Sequence, residues 1–324
     1  MQTFSELKKN LKKDFTGLVP VKVALLGDSA IQLLAQALRG AGFNEGFDLK
    51  VWEADFGQVE LQVFDTGSEL YKYNPDVIII FQCSHKLLSA YNKLSPEAYP
   101  SLANERLQLI AEMHNRLKQQ LSAKIIYYNY TEINDAVFGN YSNKTASSFL
   151  YQLRKLNCGL MDFACNNADF FVCDISSLQN LFGKGQFFQT NIYINTEIVL
   201  GLDVLPAIAF STIGIIKSLH GRFKKCVVLD LDNTAWGGII GDDGIENIQI
   251  GSLGIGKAFS EFQYWLKKLQ QRGIIIAVCS KNTESIAKEP FEKHPDMVLR
   301  LEDIAVFVAN WETKVDNIRH IQSI

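Results

Sequence analysis

Short apolar runs alternate with amphipathic stretches along the chain. Residues 21–27 (VKVALLG) are apolar on both faces, the pattern of a strand covered on both sides. Residues 48–55, 76–83, 123–130 and 168–175 read as further strands. Between the first two, Ile31, Leu34, Ala35 and Leu38 recur at helical spacing. Asp28 or Ser29 is the expected cap of that helix and Gly40 its end. Residues 102–121 predict a long helix, and residues 1–15 a surface helix. The stretch 205–216 is strongly apolar, but it is shorter than the ~20 residues of a membrane span, and it reads as a buried segment.

A second series starts near Gly221. Residues 225–231 predict a buried strand and residues 256–273 an amphipathic helix closed by Gly273. Strands follow at 274–280 and 305–310. Helices follow at 282–294, with Asn282 as the expected cap, and at 312–324. Strands alternating with helices predict an α/β fold in two three-layer domains with mainly parallel sheets, over residues 1–218 and 219–324. The first is expected to be SGNH- or flavodoxin-like. The second is expected to be a truncated HAD-like Rossmannoid domain.

Composition narrows the function classes. The 324 residues are 47% hydrophobic with a net charge of −3, which argues against a general nucleic-acid footprint and against a polybasic membrane surface. The six cysteines make no CxxC pair and the five histidines do not cluster near them. Zinc and a disulfide framework are therefore not expected, and the cytoplasm is the expected compartment.

The strongest chemical signal lies in residues 226–238, CVVLDLDNTAWGG. Asp230 and Asp232 sit at the carboxyl end of a strand, where open α/β sheets place ligands. Residues two apart in an extended chain face the same side. Two carboxylates held together need a cation between them, or a proton on one of them. Mg²⁺ suits such oxygen ligands. Ser280 ends a second apolar strand, and Lys314 opens the final helix.

This combination resembles the haloacid dehalogenase-like (HAD) phosphotransferase superfamily. Asp230-Leu231-Asp232-Asn233-Thr234 matches its D-x-D-x-[TV] motif, Ser280 its second motif and Lys314 its third. The DLDNT-x-WGG-x-xG-x-DG block is similar to the FkbH-like branch, and that likeness covers roughly residues 221–324. It implies Asp230 as nucleophile and Asp232 as proton donor and acceptor, roles that require different protonation states. It implies Mg²⁺ on Asp230 and the main-chain carbonyl of Asp232. Ser280, Thr234 and Lys314 are implied to bind the substrate phosphate. The branch implies glyceryl transfer from 1,3-bisphosphoglycerate to the thiol of an acyl carrier protein, and Cys279 is the candidate thiol within this chain. The superfamily's fourth motif, an acidic pair after another apolar strand, is not found after Lys314, and Asp316 is a poor substitute. The chain is therefore expected to be an N-terminal fragment of a longer protein.

Gly27-Asp28-Ser29, after the first strand, resembles the first block of SGNH (GDSL-type) hydrolases, which implies Ser29 as a nucleophile. The matching G-x-N-D and D-x-x-H blocks are missing, and His85 is the only nearby base. The readings are therefore an HAD-type phosphatase or phosphotransferase acting on a small phosphorylated metabolite, an esterase centred on Ser29, and a non-catalytic docking or scaffold protein.

Overall fold

In a computed structural model, residues 2–324 are described. The chain divides into two compact units, Met1–Gly221 and Arg222–Ile324. Among the described residues no helix is long and apolar enough to cross a membrane.

The first unit is built on a parallel sheet of β1 (Val19–Gly27), β2 (Phe47–Glu53), β3 (Val77–Phe81), β4 (Lys124–Tyr128) and β5 (Phe170–Cys173). The strand order is β2-β1-β3-β4-β5, the flavodoxin-like order. Its strands are apolar on both faces because each feeds two cores. Val21, Val23 and Leu25 enter one, with Ile79, Ile126 and Tyr128. Ala24 and Leu26 enter the other, with Ile78, Ile80 and Tyr127. Helices cover both cores, which makes three layers. On the first face lie Gln32–Asn44 and Leu205–Leu219, and on the second lie Leu102–Lys118 and Phe149–Asn166.

Local expectations fail here where long-range packing wins. The helix Gln32–Asn44 is not capped by Asp28 or Ser29; its cap position is Ile31, without a side-chain bond. It also runs past Gly40, because Gly40 serves close approach. A Cβ there would lie 2.3 Å from the Leu7 carbonyl oxygen. The helix Phe4–Asn10 is therefore more than a surface element, since Leu7 is fully buried against that glycine. The apolar 205–216 stretch is part of the helix Leu205–Leu219. Its buried Thr212 hydroxyl shares a 2.6 Å hydrogen bond with Tyr128.

The second unit carries the parallel sheet β6 (Cys226–Leu229), β7 (Ile275–Ser280) and β8 (Val306–Ala309), in that order. Its core gathers Leu229, Leu231, Trp236, Ile276, Val278 and Phe291. The apolar run of β6 predicts a buried strand, but β6 is an edge strand. Cys226 is exposed and Val228 is 39% exposed. Among the described residues only β7 pairs with it, and the helices on this sheet pack across β7 and β8.

Candidate active site

Asp230 and Asp232 leave the carboxyl end of β6 in a tight loop that its own residues close. Asn233 adopts a left-handed φ of 54°, which asparagine tolerates better than most residues. Its side-chain oxygen accepts the Gly238 N–H at 3.0 Å, and its own N–H donates to the Gly238 carbonyl at 3.2 Å. Gly238 has φ 94°, and a Cβ there would meet the Asp243 carboxylate at 2.7 Å. Only glycine closes the loop without strain. Asp243 in turn accepts the Ile239 N–H at 2.7 Å, so this acid pins the loop and is not a free turn residue.

Three donors fix the Asp232 carboxylate. The Trp236 indole N–H and the Ile240 backbone N–H each reach Oδ1 at 3.1 Å, and Asn282 Nδ2 reaches Oδ2 at 2.8 Å. Trp236 is fully buried and sits edge-on to Phe291, so its donor has little freedom. Asn282 is not the helix cap that its neighbourhood predicts. Thr283 holds the cap position of Glu284–Lys293, and the Asn282 side chain turns back toward Asp232. Gln263, fully buried on the helix Gly256–Gln271, donates to the Ala235 carbonyl at 2.7 Å. It accepts from the Val298 and Leu299 N–H groups at 3.0 Å each. That bolts the loop to a distant segment. Neither Gln263 nor the turn of Asn282 has a local sequence signal beyond a polar residue among apolar ones.

Asp230 is held differently. Its Oδ1 accepts the Leu231 N–H at 2.9 Å, and its Oδ2 pairs with Lys314 Nζ at 2.5 Å. Both side chains remain open, at 37% and 43% exposure. Lys314 is the first residue of the helix Lys314–Ser323, which Thr313 caps by accepting the Asp316 N–H. A cation is disfavoured at a helix N-terminus by the macrodipole, so this placement serves the Asp230 contact and not the helix. Asp316 is occupied in the cap, where its carboxylate accepts the Thr313 hydroxyl at 2.6 Å.

Ser280 ends β7, in register with Ala309 of β8, and is 1% exposed. Thr234 lies in the loop two residues past Asp232, partly exposed. Cys279 is 3% exposed, its Sγ 4.0 Å from the Lys314 carbonyl oxygen, and burial pushes its thiol up. A thiol of that kind is a poor acceptor. Lys314 is thus brought to Asp230 at the carboxyl end of β6, and Asn282 joins Asp232, two residues further on, from just past the end of β7.

Ser29 belongs to the first unit and is not part of this group. It is 1% exposed, and its hydroxyl makes no hydrogen bond among the described residues. His85, the nearest base by sequence, is stacked on Phe188 with ring centroids 3.8 Å apart, and its Nδ1 also lacks a partner. Burial pushes the His85 imidazole down to about 4. Ser29 therefore has no base hydrogen-bonded to it.

Among the described residues no three His, Cys, Asp or Glu side chains group as a metal site. A Mg²⁺ ion, however, commonly takes one or two carboxylates and leaves its other positions to water and phosphate. With the Asp232 carboxylate engaged by three donors, the donors available here are the Asp230 carboxylate and the Asp232 carbonyl. This minimal oxygen set fits such an ion.

A profile described as the FkbH N-terminal domain matches residues 22–217. A crystal structure from Bacteroides fragilis is 52% identical, with a TM-score of 0.92, and the match covers all of this chain and 85% of that one. It is described as the N-terminal part of a protein containing a phosphatase domain, complexed with Mg. An acetyl xylan esterase at 14% identity covers 60% of this chain and 100% of its own, with a TM-score of 0.40. A lipase from a goat rumen metagenome at 13% identity covers 60% and 96%, with a TM-score of 0.42. Likeness at the level of those two establishes nothing about chemistry. No curated protein matches the chain.

Proposed function

This chain belongs to the FkbH N-terminal domain family, matched over residues 22–217, and for its second unit, beyond that match, we propose an HAD-type, Mg²⁺-dependent phosphatase or phosphotransferase. The observation that carries the reading is the 2.5 Å pairing of Lys314 with Asp230, both open to solvent at the carboxyl end of a parallel sheet. The 52% identical neighbour, described with a phosphatase domain and Mg, supports it.

In this reading Asp230 attacks the phosphorus of a small phosphorylated metabolite. The bond from phosphorus to the leaving oxygen breaks, and a phospho-aspartyl bond forms. Asp232 gives the leaving oxygen its proton, then takes one from water or another acceptor. Its three donors keep the carboxylate oriented for both transfers. Ser280 and Thr234 hydrogen-bond phosphate oxygens. Lys314 opposes the charge on nucleophile and phosphate, an electrostatic contribution already in place before substrate arrives. Mg²⁺ held by Asp230 and the Asp232 carbonyl supplies further neutralisation of the phosphate.

The specific form of the reading is glyceryl transfer from 1,3-bisphosphoglycerate to the thiol of an acyl carrier protein: the carrier thiol attacks the acyl carbon and the acyl phosphate leaves as the thioester forms, while the Asp230 chemistry removes the second phosphate, the phosphomonoester. Because Cys279 is buried with a raised thiol, the acceptor sulfur is the carrier's own. The test is phosphate release from a generic phosphate ester and from 1,3-bisphosphoglycerate with Mg²⁺, comparing the chain with Asp230→Asn. Equal release by both proteins would sink the reading. Thioester on the carrier protein, seen only with the unsubstituted chain, is the outcome expected for the specific form.

A further inference from the structure

The first unit has a crevice of its own that plays no part in this chemistry. Its strand order reverses direction between β1 and β3. The chain leaves β1 for β2 on one side and returns to β3 on the other. Open parallel sheets bind ligands at that reversal, beyond the carboxyl ends of the strands. Here the reversal holds a cavity of about 290 Å³ lined by eight residues, among them Asp28, Gly57, Glu60, Gln82, Lys86 and Arg106. Four of the eight are charged.

The floor of the crevice is rigid. Asp28 accepts the Cys83 N–H with both oxygens, at 2.9 and 3.1 Å. Gln82 is buried and anchored at both ends: its oxygen accepts the Tyr127 hydroxyl at 2.7 Å, and its amide donates to Glu60 at 3.2 Å. Tyr127 also shares a 2.8 Å bond with Tyr130.

Of the two cations, Arg106 is not fully used. Arg106 is four-fifths buried, and its contact with Glu60 is 3.6 Å, beyond hydrogen-bond length. Its Nη1 is sealed without any hydrogen bond among the described residues. A guanidinium held this way is a cost that packing alone does not require. Lys86 stands at the rim, paired with the half-exposed Glu197 at 2.7 Å and lying over the exposed Phe56 ring at 5.3 Å. A planar carboxylate matches the guanidinium fork. A dianion would be opposed by Asp28 and Glu60 in the same small cavity, whereas a single negative charge balances better. Those same two acids are acceptors for hydroxyl protons.

We propose that the crevice between β1 and β3 binds a small hydroxylated monocarboxylate, whose carboxylate meets Arg106 and Lys86 and whose hydroxyls donate to Asp28 and Glu60. The site is a binding site without a nucleophile, since Ser29 lies buried outside its lining. It stands independently of phosphoryl transfer in the second unit.

The test is a titration of the ¹⁵N-labelled full chain with lactate and with gluconate, followed by amide shifts. Saturable shifts are expected at the Gln82 side-chain amide and at Gly57, with a dissociation constant of about 1 mM or tighter. Acetate, which lacks hydroxyls, glycerol, which lacks charge, and inorganic phosphate should each bind at least about tenfold more weakly. Arg106→Gln and the more exposed Lys86→Gln should each weaken binding about tenfold, while Lys314→Ala leaves it unchanged. Lys86→Gln guards against loss of fold in the buried variant. No saturable shift with either probe, equal binding of phosphate, or full binding in both crevice variants would each overturn the proposal.

Discussion

Each unit places an aspartate immediately beyond its first strand, Asp28 after β1 and Asp230 after β6. The two carboxylates live in opposite surroundings. Asp28 is largely buried, anchored only by the Cys83 N–H, and burial pushes its carboxyl up to about 6. Asp230 is over one-third exposed and faces a lysine at 2.5 Å. The same strand-end position thus produces two sites of different use. A buried acid beside an underused guanidinium suits holding a ligand. An open acid paired with a solvent-exposed cation suits attack, because the nucleophile can exchange its partner for a phosphate. Position in the fold makes a site available, and the second group to arrive decides what it does.

The comparison breaks most readily at Asp230. Asp230→Asn should lower phosphate release by about 10³-fold or more while leaving the fold intact, read as kcat with thermal unfolding as control. Loss of less than about tenfold would remove the difference between the two acids.

Asp28 should respond in stability instead. Its folded carboxyl is raised from 3.8 to about 6, so the folded state holds the proton more tightly than the unfolded one. Stability is therefore highest at low pH on this account, falls as pH rises from about 4 to about 6, and levels off above. The loss amounts to about 3 kcal/mol at neutral pH, since each tenfold gain in proton affinity on folding is worth about 1.4 kcal/mol. Asp28→Asn should abolish that fall and unfold at higher denaturant at pH 7.5, with phosphate release unchanged. A denaturation series that keeps the same pH slope in the variant would contradict the buried-acid assignment.

Lys314→Ala should cost about 10²-fold in kcat, the size of losing one preorganised electrostatic partner. Because Lys314 begins a helix whose N-terminus it does not favour, the variant should be no less stable than the parent. Smallest is Asn282→Ala, a positioning change. One of three donors to Asp232 is lost, so kcat should fall about tenfold with KM little altered. Asn282→Asp, which places a like charge beside Asp232, should be worse than alanine. Equal kcat in both variants would remove Asn282 from the account.

Much of this was legible in the sequence, and what was not has a common cause. The strands of the first sheet announce themselves because burial on two faces demands an unbroken apolar run, as in β1 and β3. Asp230, Asp232 and Lys314 were legible because motif spacing survives any packing. The helix Phe149–Asn166 was not predicted. Its apolar positions are interrupted by Arg154, Lys155, Asn157 and Gly159, and Gly159 is there to admit Leu107 of a neighbouring helix. Asn282 reads as a cap locally, yet its side chain answers a carboxylate fifty positions earlier. Arg106 carries no signal in the sequence, and only the fold brings Asp28, Glu60, Tyr127 and Tyr130 around it. In each case the decisive partner is remote in sequence.

The central claim is that Asp230 carries the phosphoryl group. The direct measurement is to mix the chain with a phosphate ester and Mg²⁺, quench in acid, and map the modified peptide by mass spectrometry. Phosphate is expected on the peptide holding Asp230, none in Asp230→Asn, and none when EDTA removes the metal. Steady phosphate release with no label at Asp230, undiminished in Asp230→Asn, would contradict it.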